Sequence, residues 1–163
     1  MTMPHPLKNK IITTEELVLL RREFKKQGKK VVFTNGCFDL LHSGHIRTLK
    51  AAGASGDVLI VAINSDASVR AIKGPGRPIY PQEERREILA AMEVVDYVII
   101  FDEPDPGAAI DLLLPDVLVK GGDWAENAVI GRETVERNGG RVIRVPPRPG
   151  RSSTDIIARI TRS

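Results

Sequence analysis

With 163 residues, 42% of them hydrophobic and 28% charged, the chain is long enough to bury a core and ordinary enough in composition to exclude extended disorder. Its formal net charge of +3, from 24 basic and 21 acidic side chains, suits phosphorylated small molecules. Aromatic residues, at 4%, are too few to stack the bases of single-stranded nucleic acid, which argues against such a partner.

Met1 to Lys10 holds no apolar run, so it reads as a loose extension and not as a signal peptide. Thr13-x-x-Glu16 is a capping-box signature, and Leu17, Leu20 and Phe24 follow at helical spacing up to Gly28. Lys30 to Thr34 predicts a first strand, with Val31 to Phe33 apolar without a break, as in strands buried on both faces. Further strands are predicted at Val58 to Ile63, Tyr97 to Phe101, Val117 to Val119 and Val142 to Val145. Helical patterns separate them at Ser43 to Ala52, Gln82 to Met92, Pro106 to Leu114 and Gly131 to Asn138, and a last one runs from Thr154 to Ile160. Strands alternating with helices predict one α/β domain, a Rossmann-like, doubly wound parallel sheet of about five strands. The longest apolar stretch, Val58 to Ile63, is too short to span a bilayer, and the lone Cys37 cannot form an internal disulfide. Both features lead to the expectation of a cytoplasmic protein with no membrane contact.

Ligands of such sheets bind beyond the carboxyl ends of the strands, where strand order reverses. The segment Thr34-Asn35-Gly36-Cys37-Phe38-Asp39-Leu40-Leu41-His42-Ser43-Gly44-His45 follows the first strand and opens a helix. Free N–H groups at a helix start favour phosphate, and Gly36 allows close backbone approach. His42 and His45 project to one side of that helix start, with Gly44 leaving room between them for a phosphate. Donors so placed suit the charge on a pentacoordinate phosphorus. A merely packed or solvated pair is the competing account, and no third ligand lies at a spacing that suits a metal.

Arg148, Arg151, Ser152, Ser153 and Thr154 gather two cations and three hydroxyls at the last helix start, where an N-cap explains the hydroxyls as well as phosphate binding does. Lys120-Gly121-Gly122-Asp123 follows the fourth strand, with a carboxylate suited to ribose hydroxyls or simply a turn. Lys73-Gly74-Pro75-Gly76-Arg77-Pro78 reads as a loop whose two cations clamp phosphates or stay solvated. The run Glu83 to Glu87 reads as a solvated helix face. Cys37 pairs with no evident base, and phosphoryl transfer needs no covalent nucleophile.

Together, Gly36-x-Phe38-Asp39-x-x-His42-x-Gly44-His45 and Ser152-Ser153-Thr154 resemble the two signatures of the cytidylyltransferase-like nucleotidyltransferases. Within that superfamily, Thr34 to Asp39, Val61 to Asp66, Leu118 to Asp123 and Asn138-Gly139-Gly140 resemble the heptose 1-phosphate adenylyltransferase group, which forms the C-terminal half of bifunctional ADP-heptose synthases. The resemblance implies that His42 and His45 hold ATP phosphates and stabilise the transition state, with Lys73 on the phosphates of nucleotide or acceptor. Thr34 to Phe38 and Gly44 would cradle the nucleotide, and Lys120 to Asp123 would meet ribose or base. Ser152 to Thr154 would take the β- and γ-phosphates, and Arg148 or Arg151 would serve as the family's arginine. Asp39, Asn64 and Arg77 would hold the acceptor.

The implied reaction is in-line attack by a sugar 1-phosphate on the α-phosphorus of ATP, with Mg²⁺ carried by the ATP phosphates and pyrophosphate released. A homodimer or higher homo-oligomer is expected, with a separate kinase supplying the sugar phosphate. The rivals are a CTP-dependent enzyme acting on an alcohol phosphate such as glycerol 3-phosphate, an FAD- or coenzyme-type adenylyltransferase, and a non-catalytic nucleotide sensor. His42-Ser43-Gly44-His45 also resembles the class I aminoacyl-tRNA synthetase signature, but the chain is too short to add an anticodon-reading domain.

Overall fold

The computed structural model describes residues 9–122 and 125–162. The elements in chain order are α1 (Thr14–Lys26), β1 (Val31–Gly36), α2 (Ser43–Gly53), β2 (Val58–Asn64), α3 (Asp66–Lys73), α4 (Gln82–Ala90), β3 (Tyr97–Phe101), α5 (Gly107–Leu113), β4 (Val117–Gly121), a 3-10 turn (Glu126–Ala128), α6 (Arg132–Arg137), β5 (Arg141–Val145) and α7 (Ser153–Thr161). All strand pairs are parallel, in the order β3-β2-β1-β4-β5, which is the Rossmann-like arrangement expected.

Both faces of the sheet are covered, which is why β2 is buried along its whole length. Phe33, Ile60 and Leu118 face one core with Leu17 of α1, Ile110 of α5 and Val135 of α6. Val32, Val61 and Val119 face the other with Leu49 of α2 and Leu89 of α4. The chain lays β2 and β3 on one side of β1, then returns to lay β4 and β5 on the other. Connections after β1 and β4 therefore diverge and open a crevice between them. No helix among the described residues is long and apolar enough to cross a membrane.

Two expectations need correction. Residues 1–8 lie outside the described residues, but Lys10 is held in place. Its ammonium donates to the carbonyls of Val95 (2.7 Å) and Met92 (3.2 Å), and its own carbonyl accepts from Val98 N. Lys73, expected in a loop, is the last residue of α3. That helix is one of two elements that sequence periodicity missed, the 3-10 turn being the other. α3 buries one hydrophobic side chain, Val69, and is started by Ser65, whose hydroxyl accepts from Ser68 N at 3.2 Å.

Close approach of α2 to β4 depends on Gly121. A Cβ there would lie 2.5 Å from Thr48 Oγ1, which donates to the Gly44 carbonyl at 3.2 Å. Gly121→Ala should therefore lower unfolding stability by about 1–3 kcal/mol, and adding Thr48→Ala should recover part of the loss. Urea titration of the two single variants and the double variant checks this, and strictly additive losses would count against the contact.

Candidate active site

The crevice over β1 and β4 encloses about 500 Å³. Thr34, Asn35 and Gly36 of β1, Asn64 of β2 and Lys120 and Gly121 of β4 form its floor, with Gly122 beside them. Cys37, Phe38, His42, Gly44 and His45 border it after β1, Lys73 at the end of α3, and Arg148, Arg151 and Ser152 ahead of α7. A wider depression of about 890 Å³ between α5 and α6 gathers none of the residues singled out from sequence.

The two histidines build the cap of α2. His42 is the N-cap, and its Nδ1 accepts from Gly44 N at 3.1 Å. His45 Nδ1 accepts in turn from His42 N at 3.3 Å, so an imidazole pair replaces the usual hydroxyl and carboxylate of a capping box. The ring centroids are 3.9 Å apart. With both Nδ1 atoms accepting, each neutral ring carries its proton on Nε2. Burial, then the neighbouring His42 and Lys73, push the His45 pKa down to about 4. Burial also lowers that of His42, with Asp155 opposing. At neutral pH both are thus uncharged donors. Gly44 serves this arrangement directly. A Cβ there would lie 2.8 Å from His42 Cε1, so a larger residue would push against the capping ring.

The floor holds an uncommitted donor. Thr34 Oγ1 is buried and has no hydrogen-bond partner among the described residues, an arrangement that calls for an explanation at a pocket wall. Beside it Lys120 donates to Asn35 Oδ1 at 3.3 Å, and burial lowers the pKa of this lysine. Phe38 takes a left-handed backbone, φ +46°, and its ring lies against His45 with centroids 5.1 Å apart. Gly36 permits this, since a Cβ there would come within 3.2 Å of the Phe38 ring.

Asp39 and Arg77, expected to hold the acceptor, do not line the pocket and pair with each other instead. Asp39 is 2% exposed, and its carboxylate accepts from Arg77 Nε (2.7 Å), Ile79 N (2.9 Å) and Tyr80 N (2.9 Å). Burial alone would raise its pKa, but these partners, the Tyr80 and Ile79 N–H groups foremost, hold it below the usual carboxylate value. The pair straps residues 77–80 to the loop after β1.

Arg85 corrects the reading of its segment as a solvated face, for it is 1% exposed. Its Nη1 donates to the carbonyls of Cys37 (2.7 Å) and Asn64 (2.8 Å), its Nε to that of Tyr80 (2.9 Å), and its Nη2 to Asp66 Oδ1 (2.7 Å). Its apolar-like placement on α4, four residues before buried Leu89, was the available signal.

The C-terminal hydroxyls divide. Ser152 lines the pocket and caps α7, accepting from Asp155 N at 3.0 Å. Ser153 points elsewhere, donating to the Leu40 carbonyl at 3.1 Å, and Thr154 is exposed off the pocket. The helical turn of about 100° per residue separates the three. Both Arg148 and Arg151 reach the rim. Asp123 lies outside the described residues.

A family model described as cytidylyltransferase-like matches residues 33–159. The bifunctional protein HldE of Geobacter sulfurreducens is 55% identical over 139 residues, which is 85% of this chain and 28% of that protein. HldE of Syntrophotalea carbinolica is 53% identical over 136 residues, 83% of this chain and 28% of its own. The chain thus spans under a third of the length of the curated relatives it matches. Among solved structures, the lipopolysaccharide core biosynthesis protein of Thermoplasma volcanium superposes with a TM-score of 0.60 at 29% identity, covering 74% of this chain and 98% of that one. Pantoate–β-alanine ligase of Francisella tularensis, at 17% identity and a TM-score of 0.60, covers 94% of this chain and 79% of its own, and shares the fold.

Two outcomes follow from this geometry. The unfolded chain protonates His45 near pH 6.5, the folded chain near 4, so the unfolded state binds more protons between those values. Stability should fall as pH drops through about 6.5 and stop falling on this account near 4, by on the order of 2–3 kcal/mol. His45→Asn, which keeps an acceptor for His42 N, should show a shallower decline in urea melts at pH 7.5 and 4.5. Arg85→Met, which strands three carbonyls and Asp66, should cost about 3–5 kcal/mol by the same measurement. A loss under 1 kcal/mol would mean that water replaces the guanidinium.

Proposed function

The chain belongs to the cytidylyltransferase-like family, and we propose that it transfers AMP from ATP to a sugar 1-phosphate, D-glycero-β-D-manno-heptose 1-phosphate, giving ADP-heptose and pyrophosphate. The observation that carries this reading is the pair of uncharged imidazoles capping α2 in one pocket with Lys73, Lys120, Arg148 and Arg151. The choice of nucleotide and acceptor is supported by the motifs shared with heptose 1-phosphate adenylyltransferases, by identity of about half with HldE proteins, and by likeness to a lipopolysaccharide core biosynthesis protein.

In this reaction a phosphate oxygen of the sugar attacks the α-phosphorus in line. The bond from that phosphorus to the bridging oxygen of the β-phosphate breaks, and pyrophosphate leaves with the bonding pair. The attacking phosphate is already an anion, so no base has to take a proton. MgATP is the substrate, the metal arriving on the triphosphate. The protein's part is position and charge. The Nε2–H groups of His42 and His45 donate to phosphate oxygens, most strongly as charge gathers on the leaving group, and only such differential binding speeds the step. Thr34 Oγ1 and the N–H groups of the loop after β1 hold the nucleotide. Uncharged histidines bind MgATP without the cost of changing protonation state in the neutral range.

The test is pyrophosphate release from ATP and CTP with sugar phosphates and alcohol phosphates as acceptors. ATP with the heptose phosphate should give the highest turnover, and better turnover with CTP and glycerol 3-phosphate would overturn the assignment. His45→Ala should lower kcat about 10²–10³-fold in folded protein, with His45→Asn recovering part. Turnover near wild type in a destabilised His45→Ala would give the histidines a structural role alone.

A further inference from the structure

The pocket wall includes hydrogen-bond acceptors contributed by β2 and by the connection after β3. Asn64 closes β2, is 4% exposed and lines the pocket. A chain of bonds fixes its amide. Ser68 Oγ donates its single proton to the Glu103 carbonyl at 2.7 Å, so toward Asn64 it can only accept, and it takes a proton from Nδ2 at 3.0 Å. Oδ1 is thereby turned to Cys37 Sγ, 3.9 Å away, a weak donor at long range. A buried amide oxygen with so poor a partner has capacity for a better one.

The same chain of bonds reaches the connection between β3 and α5, where Asp105 lines the pocket. One of its oxygens accepts from Gly107 N at 2.9 Å, and the residue is exposed at the mouth. Among the described residues it is the only carboxylate on the pocket wall, against four lysines and arginines. In a pocket for two phosphorylated substrates a carboxylate repels phosphate and accepts from hydroxyls. Lys73, the last residue of α3, lines the same pocket and is a cation suited to the phosphate of a ligand whose hydroxyls meet Asp105. Ile72 and Pro104, which precede Lys73 and Asp105 in the chain, add apolar wall suited to the carbon face of a ring.

We propose that Asn64 Oδ1 and the Asp105 carboxylate read the hydroxyl groups of the acceptor, with Asp105 selecting a polyhydroxylated phosphate over a plain alkyl phosphate. This rests on the nucleotidyl-transfer reading above. Asp105 is the residue to change, because it is exposed, whereas replacing Asn64 would break the bonds through Ser68. Initial rates of pyrophosphate release are measured for wild type, Asp105→Ala and Asp105→Asn with a panel of sugar 1-phosphates, their ring-deoxy analogues and a simple alkyl phosphate. Asp105→Ala should raise the KM of the best sugar phosphate roughly tenfold or more and leave the KM of ATP unchanged. Asp105→Asn, which keeps an acceptor for Gly107 N, should lose less. With the deoxy analogue that lacks the hydroxyl read by Asp105, the effect of Asp105→Ala should vanish. An equal KM rise for every acceptor, a rise in the KM of ATP, or no change at all would overturn the assignment. A wild-type enzyme that releases no pyrophosphate with any phosphate acceptor would overturn the transferase reading itself, and this inference with it.

Discussion

The guanidinium of Arg85 binds the carbonyls of Cys37 and Asn64 through one nitrogen, and so fixes the ends of β1 and β2 relative to each other. Both ends contribute to the pocket floor, one leading to the histidines and the other to α3 and Lys73. A charge this deeply buried is costly unless its hydrogens are taken up, and here Asp66 and three carbonyls take them. Tyr80 is gripped twice, its carbonyl by Arg85 and its N–H by Asp39. The segment after α3 is thus strapped to the loop after β1, and the left-handed turn at Phe38 is held from behind.

On that frame each imidazole has one nitrogen committed to the fold and the other left to donate. Their Nδ1 atoms cap the start of α2, and their Nε2–H groups are the donors that the proposed transfer would use. Because capping uses the Nδ1 lone pairs, a proton added there would break the cap, which reinforces the preference for uncharged rings set by burial. The cost is a site that is sensitive to acid. The gain is a pair of donors whose tautomer and direction are set before any ligand arrives.

Much of this was legible in the sequence. Unbroken apolar runs separated by amphipathic segments gave the alternation of strands and helices, and the Gly36 to His45 signature marked the turn over the central strand. What escaped was of two kinds. α3 and the 3-10 turn bury too little for periodicity to register, α3 only Val69 among its hydrophobic side chains. By residue type alone Arg85 reads as solvated, and nothing in the types of Asp39 and Arg77 announces that they pair with each other. Burial decides their roles, and burial is a property of the packed sheet. The divergence of Ser152, Ser153 and Thr154 was illegible for a related reason, since a motif of adjacent hydroxyls says nothing of how a helix turns them. Asp105 had no motif to announce it.

The order of the strands also governs how the molecule is assembled. Val31 pairs with Val58, a short excursion of the chain, but Val32 must wait for Val117. The floor of the pocket therefore lies across the most distant pairing of the central strand, and pairings of that kind form slowly. Until β4 arrives, β1 presents an open edge of apolar sequence with no proline or charge to blunt it. The strand that leads to the histidine-capped helix is, during folding, the one most able to join another chain, and only completion of the fourth strand removes the hazard.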